Sequence, residues 1–144
     1  MTERLHVAIA VLCGTTGGPA TYGRRLVRAL AESAEATKLR LSVLTDRPDL
    51  IEAPGTCVVE LPMRGGHDRL RWQHIALPRA LRALRPDVYH DTKNALPFGL
   101  RIPAVVTVHD LACHTVPDTF GWLSRWFLRR ATRHAVQRAR AIVV

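Results

Sequence analysis

Apolar positions along this chain follow two different periods. Leu5-His6-Val7-Ala8-Ile9-Ala10-Val11-Leu12 is a nearly unbroken apolar run, short and partly β-branched, as in a strand covered on both faces. Cys13 to Pro19 is rich in glycine and threonine and reads as a turn. From Ala20 to Leu30 the spacing changes. Tyr22, Leu26, Leu30 and Ala34 recur at steps of four, with Arg24, Arg25 and Arg28 elsewhere, which predicts a helix with one buried face. Lys38 to Thr45 alternates and predicts a second strand, ending at Asp46. Arg47-Pro48-Asp49 is a turn, and Thr56 to Leu61 is a short third strand closed by Pro62. Met63 to Asp68, with Gly65-Gly66, is a loop.

A helical period returns from Arg69, with Leu70, His74, Leu77, Leu81 and Leu84 on one stripe. Pro78 should kink this run or start a second helical piece, and Arg85-Pro86 should end it. Asp87 to His90 is a fourth strand, Asp91 to Arg101 a loop, and Pro103 to His109 a fifth, buried strand. Leu111 to Thr119 is loop-like, Phe120 to Arg140 a long helix, and Ala141 to Val144 the start of a sixth strand. Strands that alternate with helices predict an α/β Rossmann-like three-layer sandwich with a mainly parallel sheet. Such sheets bind ligands beyond the carboxyl ends of their strands. Three groups should converge there: Gly17-Gly18 after the first strand, Lys93-Asn94 after the fourth, and His109-Asp110 after the fifth.

Each group has a plain reading beside the chemical one. Gly17 and Gly18 let backbone approach a ligand closely, and Pro19 suits a first helical position. The free N–H groups and dipole of the following helix favour a phosphate-type anion, yet the same glycines also make a tight connection. His109 can hydrogen-bond a sugar hydroxyl or a phosphate oxygen, or be satisfied by backbone. Asp110 can accept from ligand hydroxyls or cap the next segment. Lys93 can pair with an anion or be solvated, and Tyr22 can touch ligand or simply pack. His109, Asp110 and His114 also invite a metal reading, but the pair ends a β-branched run instead of sitting on a helix, and no Asp-x-Asp pair is present. No metal is therefore expected. The turn from Gly14 to Gly23 departs from Gly-x-Gly-x-x-Gly, which leaves Asp46 a weak stand-in for the ribose-binding acid of a dinucleotide site.

Composition narrows the partners. At 144 residues the chain is long enough for one domain with a real core, spanning 1–144. No apolar stretch approaches the roughly 20 residues that span a bilayer, and the amino terminus lacks a signal-peptide pattern, so a cytoplasmic place is expected. Cys13, Cys57 and Cys113 are far apart, without metal-ligand spacing, and Cys13 and Cys57 read as core filler. The net charge of +9 comes almost wholly from arginine, Lys38 and Lys93 being the only lysines. Such charge fits nucleic acid, an anionic membrane or phosphorylated small molecules. No helix-turn-helix, zinc or RNP-type pattern supports nucleic acid.

On the last helix, Phe127, Leu128, Ala131, Ala135 and Ala139 form an apolar arc, while Arg125, Arg129, Arg133 and Arg140 lie opposite with Trp122 and Trp126 among them. That mixture is what an interfacial helix shows, and would suit peripheral contact with the inner face of a membrane through 120–140. The plainer reading is a solvated face, or one covered by a further domain.

Three stretches resemble glycosyltransferase family 4: Gly17-Gly18-Pro-Ala-Thr-Tyr22-Gly-Arg-Arg-Leu26-Val-Arg-Ala-Leu30, then Pro86-Asp-Val-Tyr-His90 with Lys93-Asn-Ala-Leu-Pro97, then Pro103-Ala-Val-Val-Thr-Val-His109-Asp110-Leu111. Order and spacing both fit, over essentially the whole chain. The resemblance implies half of a GT-B fold, in which two Rossmann-like domains face across a cleft. It implies a retaining transfer from a nucleotide sugar to a sugar or lipid-linked acceptor, without a bound metal. It places Gly17 and Gly18 against the donor diphosphate, His109 against the transferred sugar, and Asp110 and Asn94 on the acceptor side; Lys93 and Tyr22 join them as acceptor candidates from their own chemistry. Pro19 and Ala20 depart from the family's usual aliphatic residue and glycine, which should stiffen the loop. The family's basic donor-binding residues and paired glutamates belong to a carboxyl-terminal domain that these residues do not contain. The chain alone is therefore expected to have little or no activity until that domain is supplied in cis or in trans. The competing expectation is a non-catalytic Rossmann-like module that binds a nucleotide or phosphorylated ligand.

Overall fold

The computed structural model describes residues 4–14, 17–115 and 121–144. They form one parallel sheet of six strands in the order β3-β2-β1-β4-β5-β6: β1 (Leu5–Val11), β2 (Leu39–Thr45), β3 (Cys57–Glu60), β4 (Val88–Asp91), β5 (Ala104–Thr107) and β6 (Ala141–Val143). Helix α1 (Gly18–Thr37) joins β1 to β2. A helical run of α2 (Arg69–Arg71), a π turn (Trp72–Ala76) and α3 (Leu77–Leu84) carries the chain from β3 back across to β4. The short α4 (Ala112–Thr115) and the long α5 (Trp122–Arg138) join β5 to β6. The expected Rossmann-like α/β sandwich is present, with the sheet parallel throughout.

Alternation along β1 explains the three layers. Val7, Ile9 and Val11 pack with Val27 and Leu30 of α1 on one face. Ala8, Ala10 and Leu12 point the other way, into a core with Trp72, Leu77 and Leu81 of the π turn and α3 and Ala135 of α5. A strand buried from both sides has to be apolar at nearly every position. Strand β3 is the edge of the sheet and largely exposed, so Cys57 on it is exposed. The expectation that Cys57 fills the core is thus corrected, because an edge strand has only one neighbour to cover it. Cys13 is half-buried against the core on the α1 side, and the side chain of Cys113 lies outside the described residues.

Pro78 acts on the helix before it. Proline has no N–H to give the carbonyl four residues back, and its ring crowds that carbonyl. The chain answers with a wider turn, in which the Leu77 N–H reaches the Trp72 carbonyl five residues back. This shifts the stripe by one residue. Trp72, Leu77 and Leu81 are buried, whereas Leu70, expected on that stripe, is exposed. Trp72 secures the new register by donating its indole N–H to the Leu61 carbonyl at 2.8 Å.

Helix α5 differs from the expected helix at both ends. The helix starts at Trp122, after Gly121, and stops at Arg138, so Arg140 is not on it and instead donates its backbone N–H to the Ala104 carbonyl at 2.7 Å; Phe120 lies outside the described residues. Arg125 is half-buried, between the two arcs. Among the described residues no helix is long and apolar enough to cross a membrane.

Candidate functional site

The strand order reverses at β1, which has β2 on one side and β4 on the other. The loops leaving these strands therefore separate, and a crevice opens at their carboxyl ends. The glycine turn after β1 is held from β2. Asp46 accepts the Cys13 N–H at 2.6 Å with one carboxylate oxygen and the Gly14 N–H at 2.7 Å with the other. Asp46 is thus a clamp on the turn, and a Cβ at position 14 would collide with its carboxylate. Gly17 has φ +132°, a backbone region closed to other residues at ordinary strain. Gly18 opens α1, and a Cβ added there would meet nothing within 4 Å. The first turn of α1 carries no acid, so its dipole faces the crevice uncompensated. Thr15 and Thr16 lie outside the described residues.

The loops after β4 and β5 are tied to each other. Asn94, at φ +55°, accepts the His109 N–H at 2.9 Å and donates its amide to the Asp110 carbonyl at 3.0 Å. Its own N–H reaches the Thr107 carbonyl at 3.0 Å. The Asn94 amide therefore holds the His109 loop in place. His109 Nε2 lies 2.7 Å from the Thr92 carbonyl, which can only accept, so Nε2 carries the proton and Nδ1 is left as the acceptor of the neutral ring. Thr92 is itself locked, donating its hydroxyl to the Ala10 carbonyl at 2.8 Å. Tyr22 packs edge-on against the imidazole, with ring centres 5.0 Å apart. Its hydroxyl accepts from Thr107 at 3.4 Å, and Thr107 in turn pairs with the buried His90 at 2.8 Å.

Asp91 anchors the β4 end. It is buried and accepts the Tyr89 hydroxyl at 2.7 Å, the Gln73 amide at 3.2 Å and the Lys93 N–H at 2.8 Å. Burial raises its pKa above the ordinary carboxylate value, against the pull of those hydrogen bonds and of Arg69. Lys93 is shifted the other way. Burial and then the charge of Arg69 lower its pKa, which Asp46 and Asp91 oppose only partly. An anion between Arg69 and Lys93 would relieve that repulsion.

Pro19, Arg69, Lys93, Asn94, His109 and Asp110 all line one cleft of about 280 Å³. Its far wall is apolar, built from Leu70, Phe98, Phe127, Leu128 and Ala131, with Arg130 at the margin. Phe98 stacks on His74 and meets His134 at a tilt, each with its ring centre 4.6 Å away. One side of the cleft thus offers cations, an imidazole and a carboxylate, and the other an apolar surface.

A sequence model of Glycosyltransferase Family 4 matches residues 16–144. The chain belongs to that family. A search among curated proteins finds no match. Family membership makes this a glycosyltransferase-type domain with the Rossmann-like architecture of a GT-B half, and the cleft at its switch point is the candidate site.

Several residues of this candidate site were not singled out from sequence. Arg69, Gln73 and Arg130 reach the cleft from helices distant in sequence, and only the π turn fixes which way Arg69 and Gln73 face. Asp91 and Thr92 fell in an expected loop, yet Asp91 ends β4 and both are buried. A carboxylate closing an apolar parallel strand was the available signal. Arg24 Nε is buried with no hydrogen-bond partner among the described residues, near enough to Cys13 to bias its thiol. Among the described residues no three His, Cys, Asp or Glu side chains gather, so His109, Asp110 and His114 do not form one cluster.

The buried His6 and His90, with the half-buried His74, predict acid lability. Burial is the leading cause that lowers the pKa of His6, His74 and His90, with Arg40 adding at His6 and His134 at His74. The unfolded chain takes up protons near 6.5 while the folded chain resists them. Between the folded values and 6.5 the unfolded state binds more protons, so stability rises with pH there and is lost as pH falls. Asp91 works in the opposite sense, in a window starting at 3.8. Melting followed by circular dichroism should therefore give a lower midpoint at about pH 5.5 than at about pH 7.5. A flat or inverted profile would contradict neutral burial of these rings.

Proposed function

We propose that this domain provides the acceptor-facing half of a retaining glycosyl transfer, from a nucleotide sugar to a sugar or lipid-linked acceptor. The observation that carries the reading is the convergence of His109, Asp110, Lys93 and the start of α1 on one cleft in a family-4 domain. Cleavage of a sugar–diphosphate bond leaves negative charge on the departing phosphate. Catalysis depends on donors already aimed at that charge. Here the backbone of Gly17 and Gly18 and the α1 dipole face the diphosphate, with no metal assigned. His109 Nδ1 accepts from a hydroxyl of the transferred sugar. Asp110 accepts from the acceptor, and Lys93 with Arg69 meets any phosphate the acceptor carries. Asn94, Thr92 and Tyr22 set the position of His109. A second Rossmann-like domain, in cis or in trans, must close over the cleft to hold the nucleotide and exclude water.

Calorimetric titration with a panel of nucleotide sugars, in the presence of the donor-binding half, tests this reading. One nucleotide sugar should bind and be turned over. Binding without any transfer, across a panel of acceptors, would replace the reading by a ligand-binding module. Gly18→Ala separates ligand approach from folding. The added methyl meets no protein atom, so stability should stay within about 0.5 kcal/mol of wild type. Affinity for the nucleotide sugar should fall about tenfold, because the methyl occupies the face offered to the diphosphate. Unchanged affinity would remove Gly18 from the site.

A further inference from the structure

Helix α5 has two unlike faces. Thr132 and Ala135 are buried on the inner one. The outer face carries Trp122, Leu123 and Trp126, which are 75%, 61% and 58% exposed. Arg129, Arg130 and Arg133 are interleaved with them at helical spacing, and the helix contains no acidic residue. Large apolar side chains in a contiguous exposed patch mark a binding surface. The Arg130 guanidinium stands 5.6 Å above the Trp126 ring, so aromatic and cation form one surface, not two patches. Trp122, Trp126, Arg129, Arg130 and Arg133 border a shallow concavity of about 540 Å³, completed by His114 of α4 and Arg125. Arg130 also borders the cleft, where Phe127, Leu128 and Ala131 of the same helix form the apolar wall.

We propose that the outer face of α5 docks this domain onto an anionic lipid bilayer. Trp122, Leu123 and Trp126 enter the boundary between headgroups and acyl chains, and Arg129, Arg130 and Arg133 pair with lipid phosphates. Charge complementarity identifies the occupant: the face is cationic throughout, and its apolar groups are the tryptophan-rich kind that settle at a membrane interface. The proposal rests on α5 and does not depend on sugar transfer.

Cosedimentation of the chain with vesicles tests it. Vesicles of phosphatidylcholine with about 30% phosphatidylglycerol should bind about tenfold or more tightly than phosphatidylcholine alone, and about 0.5 M NaCl should reverse most of that gain. Binding should shift tryptophan emission to the blue. The third tryptophan, Trp72, is only 3% exposed, so the shift reports on Trp122 and Trp126. Trp122→Ala with Trp126→Ala should abolish the shift and weaken binding about tenfold. Arg129→Glu with Arg133→Glu should remove the preference for anionic lipid. Arg82→Glu with Arg101→Glu makes the same charge change at exposed positions outside α5 and should leave binding within about twofold. Far-UV circular dichroism confirms that each variant is folded. The proposal is overturned if folded α5 variants bind like wild type, or if the outlying charge reversal weakens binding as much. It is equally overturned if the chain binds a nucleic-acid duplex through this face and not the vesicles.

Discussion

His109→Ala, in protein supplied with a donor-binding domain, should lower kcat/KM for sugar transfer roughly a hundredfold or more, the scale of losing one pre-placed polar group at a charged transition state. The ring is fixed from three directions. Thr92 accepts from Nε2, Asn94 accepts the backbone N–H, and Tyr22 packs against the ring edge. Such fixing places Nδ1 before substrate arrives, which makes its loss costly to the reaction. It makes the loss mild for the fold. The bond to Thr92 and the ring contact with Tyr22 disappear, a change of about 1–2 kcal/mol, and the backbone anchor to Asn94 remains. Steady-state kinetics beside thermal melting checks both halves of the expectation. Wild-type turnover would take His109 out of the mechanism, and a collapse of the fold would show its role to be structural.

Gly23→Val should be the more damaging change for stability. A Cβ at position 23 would stand 2.9 Å from Val11 Cγ1 and 3.2 Å from Thr92 Oγ1. Helix propensity alone argues weakly the other way, since glycine inside a helix costs about 1 kcal/mol against alanine and valine up to about 0.7 kcal/mol. Contact decides the sign, because Val11 and Thr92 are both fully enclosed and neither can yield without moving β1 or the β4 loop. Overpacking of this kind costs about 2 kcal/mol, or roughly 5–10 °C in melting temperature. The damage should spread to the site. Thr92 supplies the carbonyl that orients His109, so a displaced Thr92 loosens the imidazole. A melting temperature equal to or above wild type would show that propensity outweighs the close approach of α1 to β1.

The architecture was readable because the apolar run of β1 and the four-residue steps of α1 each admit one interpretation, and the alternation of such segments leaves few topologies. Their ends were less clear. Lys38 takes φ +58° and closes α1 instead of starting β2, and Asp91 extends β4 beyond the expected loop boundary. The Trp72 face was hidden for a different reason. A five-residue turn breaks the four-residue step, and the proline that causes it stands at the far side of that turn. Of the candidate site, the residues at strand ends were legible, since parallel topology brings those ends to one edge. Arg69, Gln73 and Arg130 were not, because helix rotation decides whether a helical side chain reaches a cleft. Nor could sequence separate Asn94, whose amide is committed to the His109 loop, from Lys93, which lines the cleft beside Arg69. That distinction depends on hydrogen-bond partners 15 and 16 positions away along the chain.

The central claim is that a single rim, at the carboxyl ends of β1, β4 and β5, receives the reacting ligands. Amide chemical-shift mapping of the isotope-labelled chain, titrated with nucleotide sugars and candidate acceptors, tests it most directly. The account predicts saturable shifts at Gly17, Gly18, Lys93, Asn94, His109 and Asp110. Shifts confined to the opposite edge of the sheet, or to a separate groove lined by Arg64, Asp68, Ile75 and Arg79 beside the π turn, would contradict it.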